Sequence, residues 1–151
     1  MIEGVKIKPL KIHPDERGFL VELLRSDDSI FKNFGQSYLT KIYPGVVKGW
    51  HWHEKQFDNL VVITGMMKIV LYDNRKDSST YQTINELFMG EQNMILLQIP
   101  PGVIHGLKAI GGESALAVNF PTEVYNPQNP DEHRIDPHHN DIPYDWNIKE
   151  Q

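Results

Sequence analysis

The chain has 151 residues, a net charge of −5 at pH 7 and no cysteine. That length is one ordinary domain able to bury a core, and a content of 40% apolar and 23% charged residues is that of a globular chain. The missing cysteine excludes a disulfide frame, a thiolate nucleophile and a thiolate-ligated metal, and the acidic balance argues against nucleic acid or an anionic membrane as a partner while leaving room for a small anion in a local basic pocket. The opening segment, MIEGVKIKPL, has no signal-peptide core, and no apolar run reaches membrane-spanning length, so a cytoplasmic protein is expected. Along the chain, short runs rich in Val, Ile, Leu and Tyr predict strands at Gly18–Leu24, Gln36–Tyr43, Asn59–Ile63, Met67–Tyr72, Met94–Ile99 and Ala115–Phe120. The stretches YPGV, DNRKDSS, PPGV and IGGE punctuate them. A helix is predicted over Asp27–Phe34, with Ser26 or Asp27 as N-cap and Gly35 just beyond its end. After Tyr125 the chain turns rich in Pro, Asp, Asn and His, which predicts an irregular tail over 126–151 that wraps the body and pins itself with Tyr144 and Trp146. The pattern as a whole predicts one all-β domain over 1–151, a sandwich or jelly-roll barrel with short helical segments.

The chemistry concentrates in Gly45–Gly65, GVVKGWHWHEKQFDNLVVITG. His51 and His53 are two residues apart in a run that reads as strand, so their imidazoles share a face. Trp50 and Trp52 then face the other way, as core or subunit-interface residues. Asp58 follows, and PPGVIH adds His105. Histidine titrates near neutral pH and is a common metal ligand, so the set reads as a base cluster or a metal site. Each member also has a plainer reading. His105 alone can bond a loop carbonyl, and Asp58 can neutralise Lys48, hold a histidine tautomer or raise the pKa of His51 or His53. His133, His138 and His139 lie in the polar tail, where the His138–His139 pair reads as solvated.

The spacing from Gly45 through His51, His53 and Asp58 to Gly65 resembles the first cupin motif, with Asp where Glu is usual. Pro100, Gly102 and His105 resemble the core of the second, with Ala109 where its closing Asn would stand. This resemblance implies a cupin-type jelly-roll β-barrel, and one reading of its site is a divalent metal held by His51, His53, Asp58 and His105.

A longer resemblance runs through DERGFLVELLR (Asp15–Arg25), GVVKGWHWH (Gly45–His53), LYDNR (Leu71–Arg75), IPPGVIHGL (Ile99–Leu107) and PTEVYNP (Pro121–Pro127). Together these resemble the dTDP-4-dehydrorhamnose 3,5-epimerases. The resemblance implies a homodimer that moves protons on a nucleotide-linked 4-keto-6-deoxy sugar and needs no cofactor. It places His51 at the catalytic base, Arg17 and Glu22 at nucleotide contacts, Lys48 where an arginine meets the diphosphate, and His105 in the pocket wall. Asn119 falls where the catalytic tyrosine stands and Asp58 near the lysine that steadies the enolate, while the aspartate paired with the base falls beyond Gln151. The paired histidines resemble those of the related sugar 3,4-ketoisomerases. The expected site is therefore His51, His53 and Asp58 for catalysis, with Arg17, Glu22, Lys48, His105, Asn119 and Tyr125 for substrate, Tyr125 doubling as a substitute acid. A metal-dependent cupin enzyme and a non-catalytic sugar-binding cupin are the alternatives.

Overall fold

Residues 1–149 are described by a computed structural model, and they fold as twelve strands with no helix among them. These are β1 (Lys6–Pro9), β2 (Ile12–Asp15), β3 (Gly18–Val21), β4 (Tyr38–Ile42), β5 (Val47–Trp52) and β6 (Asp58–Thr64). They continue as β7 (Met66–Asp73), β8 (Ile84–Gly90), β9 (Ile95–Ile99), β10 (Val103–Ile110), β11 (Ala115–Asn119) and β12 (His133–Arg134). One antiparallel sheet has the order β1-β9-β6-β11-β4 and the second β12-β5-β10-β7-β8, while β2 and β3 form a separate hairpin. Neither sheet closes on itself by hydrogen bonds, so the expected barrel is an open two-sheet sandwich.

Strand periodicity fixes how the sheets pack. On β6 and β9, Leu60, Val62, Leu97 and Ile99 face inward; on β7, Met67, Ile69 and Leu71 do, and all join one core between the sheets. The alternate residues face outward but are buried too. Val61 and Leu96 are covered by Ile30 with Leu10, Leu23 and Leu24 from the N-terminal segment. Val70, Tyr72 and Trp50 are covered by Ile135, Ile142, Tyr144 and Trp146 from the tail. Both sheets thus have an inner and a covered outer face, which is why β6 and β7 read as continuous apolar runs rather than alternating ones.

The helix expected over Asp27–Phe34 is absent; the segment is a series of turns. Tertiary partners take the groups a helix would use. The Asp28 carboxylate accepts the Arg25 amide and the Lys8 ammonium, and Gln98 Nε2 donates to the Ile30 carbonyl at 2.7 Å, holding Ile30 against the sheet. Gly35 does not end a helix either. A Cβ there would lie 2.3 Å from the Glu123 carbonyl carbon, so glycine is required by close backbone approach.

From Asn126 onward the chain crosses the outer face of the second sheet, with β12 paired to β5 and Trp50 and Ile135 exchanging backbone hydrogen bonds of 2.8 Å. Trp146 anchors it, 4% exposed, at 4.8 Å centroid distance from Trp50. Gly106 makes the room, since a Cβ there would lie 2.8 Å from the Trp146 ring. Replacing Trp146 with alanine is expected to lower unfolding stability by about 3–5 kcal/mol and to open the tail to protease. A denaturant melt and a digestion time course read both, and an unchanged midpoint would show that the tail does not brace the sheet.

Candidate active site

The sandwich is open at one end, where a cavity of about 1090 Å³ is bounded by β4, β5, β10, β11 and the tail. That is slightly larger than ordinary ligand pockets, which run roughly 300–1,000 Å³. Topology collects the chemistry there. His51 on β5 lies directly across from His105 on β10 in the second sheet, and His53 follows just past the end of β5. Asp58 comes from the other side, as the first residue of β6 in the first sheet. The donor atoms of His51, His53, Asp58 and His105 all lie within 4.8 Å of one another. Trp50 and Trp52 face away, Trp50 into the tail-covered core and Trp52 stacked on His133 at 4.1 Å.

Asp58 is the hub. Its Oδ2 is 3.1 Å from His105 Nε2 and 3.3 Å from His53 Nε2. Its Oδ1 accepts from Gln56 Nε2 at 2.8 Å and from Asn119 Nδ2 at 2.7 Å. Burial opposes its charge, but the hydrogen bonds from His105 and His53 outweigh that and hold the carboxyl well below the usual carboxylate range. Both histidines are also held from behind. His105 Nδ1 lies 3.0 Å from the Val103 carbonyl, and His53 Nδ1 bonds the Asp131 carbonyl. Asp131 is itself fixed, its carboxylate accepting the backbone amides of Glu54, Lys55 and Gln56. His53 Nε2 stands between Gln56 Nε2 at 3.2 Å and Asp58 Oδ2. Neutral, it accepts from the amide; protonated, it donates to the carboxylate. Burial pushes its pKa down, but Asp58 more than compensates and the net direction is upward.

His51 is different. It makes no side-chain hydrogen bond among the described residues, and its ring sits edge-on to His105 at 4.0 Å. Burial first, then the neighbouring His105, lower its pKa well below the ordinary value. A neutral imidazole with a free lone pair faces the cavity, which is what a proton acceptor requires. The sign of the pH effect follows. With the folded pKa below the unfolded value of about 6.5, the base stays competent under mildly acidic conditions. The acid limb of its pH–rate profile is therefore expected below pH ~6.5. The same shift makes the unfolded state bind the proton first, so His51 costs stability as pH falls below that value. His53, shifted upward, opposes it: its contribution is complete below pH ~6.5 and is lost as pH rises through its folded pKa. An acid limb centred above neutrality would contradict the environment described.

Among the other expected residues, Lys48, Asn119 and Tyr125 line the same cavity. Arg17 and Glu22 do not. Both sit on or just after the separate hairpin, Arg17 paired with Asp15 and Glu22 with Arg25. Sequence reasoning missed Gln56, Asp131, Arg134 and Tyr38, all cavity-lining, and gave no role to His133, which stacks on Trp52. Nothing local marks Tyr38, whose hydroxyl accepts from Asn119 Nδ2 at 2.8 Å because β4 and β11 pair Tyr38 with Asn119.

Comparison with known proteins places the chain among relatives. Residues 13–133 match the family described as polysaccharide biosynthesis C-terminal domain. Over 149 residues the chain is 46% identical to the spore coat polysaccharide biosynthesis protein SpsL of Bacillus subtilis, covering 99% of each chain. It is 42% identical to a Haloferax volcanii protein named "Probable low-salt glycan biosynthesis epimerase Agl13", covering 98% of this chain and 96% of that one. A solved dTDP-4-dehydrorhamnose 3,5-epimerase from Sulfolobus tokodaii superposes with a TM-score of 0.80 at 30% identity, covering 94% of this chain and 82% of that one. The chain belongs to the dTDP-4-dehydrorhamnose 3,5-epimerase family.

Proposed function

We propose that the protein is an isomerase of nucleotide-linked 4-keto-6-deoxy sugars, serving polysaccharide biosynthesis, in which His51 removes a proton from a carbon next to the C4 ketone. The observation that carries this is the enclosed, neutral His51 ring facing the cavity beside a fixed carboxylate hub. The ketone acidifies its neighbouring C–H bonds; His51 takes the proton, and the electron pair moves onto the carbonyl oxygen as an enolate. Positioned acid–base groups of this kind contribute about 10²–10⁴-fold. Asp58, Gln56 and Asn119 lock the surrounding rings, so little reorganisation is needed during the reaction. At the cavity rim Lys48 offers a point charge for the diphosphate. The two-sheet sandwich is read as a cupin-type jelly roll, and a cytoplasmic setting follows from the substrate class.

Arg17 and Glu22 suit a homodimer. Adjacent strand residues Phe19 and Leu20 are each 63% exposed, so both faces of the β2–β3 hairpin present apolar surface. Packing that arm on a second copy would bury it and carry Arg17 and Glu22 toward the neighbouring cavity. Light scattering of Phe19→Asp reads this directly: a monomer is expected, and an unchanged dimer would place the interface elsewhere.

Proton NMR of dTDP-4-keto-6-deoxyglucose in D2O with the protein added tests the reaction. Loss of the signal at C3 or C5 is expected, and its persistence would remove the isomerase reading.

A metal-dependent reading is favoured by one observation. His53 and His105 each bond a backbone carbonyl through Nδ1 and turn Nε2 toward Asp58, the arrangement usual for metal-ligating histidines. The residues fit a divalent first-row ion held by His51, His53, His105 and Asp58. Such an ion would polarise a bound carbonyl. Elemental analysis of the purified protein separates the two: less than stoichiometric metal, with exchange intact, leaves the base reading alone.

A further inference from the structure

We propose that Tyr38 is the general acid of this site, returning the proton to the substrate carbon from the side opposite His51. The inference rests on the isomerase reading above. Inverting a carbon through an enolate requires that the proton leave from one face and arrive at the other, so base and acid must stand on different walls of the cavity. His51 stands on β5 of the second sheet, and Tyr38 on β4 of the first. Both line the same cavity.

The first sheet offers few other acids. Asp58 is an ionised hub that accepts hydrogen bonds from Gln56 and Asn119. The Asn119 amide and the Thr40 hydroxyl do not ionise in the accessible range. Tyr125 reaches the cavity from the tail, but its phenol is held by no partner among the described residues. Tyr38 alone combines an acidic proton with a fixed position. The residue is 41% exposed, so a ligand can reach it. Its oxygen accepts from Asn119 Nδ2 at 2.8 Å, and the hydroxyl proton has no acceptor among the described residues, leaving it to that ligand.

The same Asn119 nitrogen donates to Asp58 Oδ1 at 2.7 Å, so one amide ties the phenol to the carboxylate hub. Desolvation of the phenol, then the Asp58 charge, push the Tyr38 pKa up to about 12, which keeps the phenol protonated until an enolate forms.

The step balances without a co-reactant. The substrate C–H bond breaks toward His51 Nε2 or Nδ1 and its electron pair becomes the enolate. The enolate carbon then takes the Tyr38 hydroxyl proton on its opposite face as the carbonyl re-forms, leaving a phenolate steadied by Asn119. Imidazolium and phenolate return to their starting forms by exchange with water, one losing and one gaining a proton.

Tyr38→Phe separates acid from base. In D2O, with dTDP-4-keto-6-deoxyglucose as the probe, the variant is expected to keep deuterium exchange within about tenfold of wild type, because His51 can return a deuteron to the face it came from. Formation of the epimer is expected to fall at least about 100-fold. His51→Asn should lose both signals. Epimer formed by Tyr38→Phe within threefold of wild type overturns the assignment, and so does equal loss of exchange and epimer in a variant that melts normally. If the phenylalanine variant does not fold, 3-fluorotyrosine placed at position 38 is used instead. The alkaline limb of epimer formation then moves to lower pH if Tyr38 is the acid, and an unmoved limb overturns it. Absence of exchange by the wild-type protein overturns the isomerase reading itself, and the assignment with it.

Discussion

Replacing His51 with asparagine is expected to reduce proton exchange on a 4-keto-6-deoxy nucleotide sugar by about 10²–10⁴-fold while leaving the fold intact. Both halves follow from its surroundings. The ring is enclosed, held neutral, and free of side-chain hydrogen bonds among the described residues, so no structural partner is orphaned by its removal. Asparagine is smaller and uncharged, and β5 remains paired to β10 and β12 through its backbone. The lost group is the one free lone pair of the cluster; the His53 and His105 rings are tied to carbonyls and to Asp58. Exchange measured by NMR, with a melting curve alongside, decides the matter. A rate within tenfold of wild type at unchanged stability would move the base to another residue.

Asp58→Ala is expected to act on stability as strongly as on rate. The carboxylate is 3% exposed and faces two imidazoles and two amide donors. Breaking a buried ion pair by removing one partner typically costs about 3–5 kcal/mol, because the other polar groups are left buried and unsatisfied. For a chain of this size that corresponds to a fall in Tm of roughly 6–20 °C. The pH dependence should change with it. Asp58, shifted downward in the fold, stabilises above its unfolded pKa of about 3.9 and loses that contribution as pH falls through its folded value. Without it, His53 also loses the charge that raises its pKa, so the stability lost on going from mildly acidic to alkaline pH should shrink. A melt of Asp58→Ala that matches wild type across pH would mean that the hub does not hold the site together.

The sequence made strand positions legible wherever an apolar run was bounded by turn residues: β4, β6, β7, β9 and β11 lie within two residues of where the runs place them. It failed where tertiary contacts overrode local preference. Asp27–Phe34 has the composition of a capped helix, yet Lys8, Arg25 and Gln98 capture its polar groups and make it a covering segment. The strand Ile84–Gly90, INELFMG, mixes polar and apolar residues at a sheet edge and gives a weak signal on its own. At the site, His51, His53, Asp58 and His105 were legible because three imidazoles and a carboxylate at motif spacing, on strands, must converge on one cavity. Tyr38 and Asp131 were not. One is placed by the β4–β11 register, the other by a tail that docks across the sheet, and neither relation has a local sequence signature.

The docking of that tail also bears on when the protein can begin to work. His51, His53, Asp58 and His105 are synthesised early, but the carbonyl behind His53 belongs to Asp131, and the residue that clamps the outer face is Trp146. While the ribosome is still adding those residues, they are held in its exit tunnel, away from the sheet they must cover. His51, His105 and Asp58 are placed by the sheets, but the His53 ring lacks its backing carbonyl until the tail has emerged and docked. A cut between Asn126 and Asp131 would leave the carbonyl behind His53 held only through the pairing of β12 with β5 and the buried Trp146, without touching any residue of the cluster.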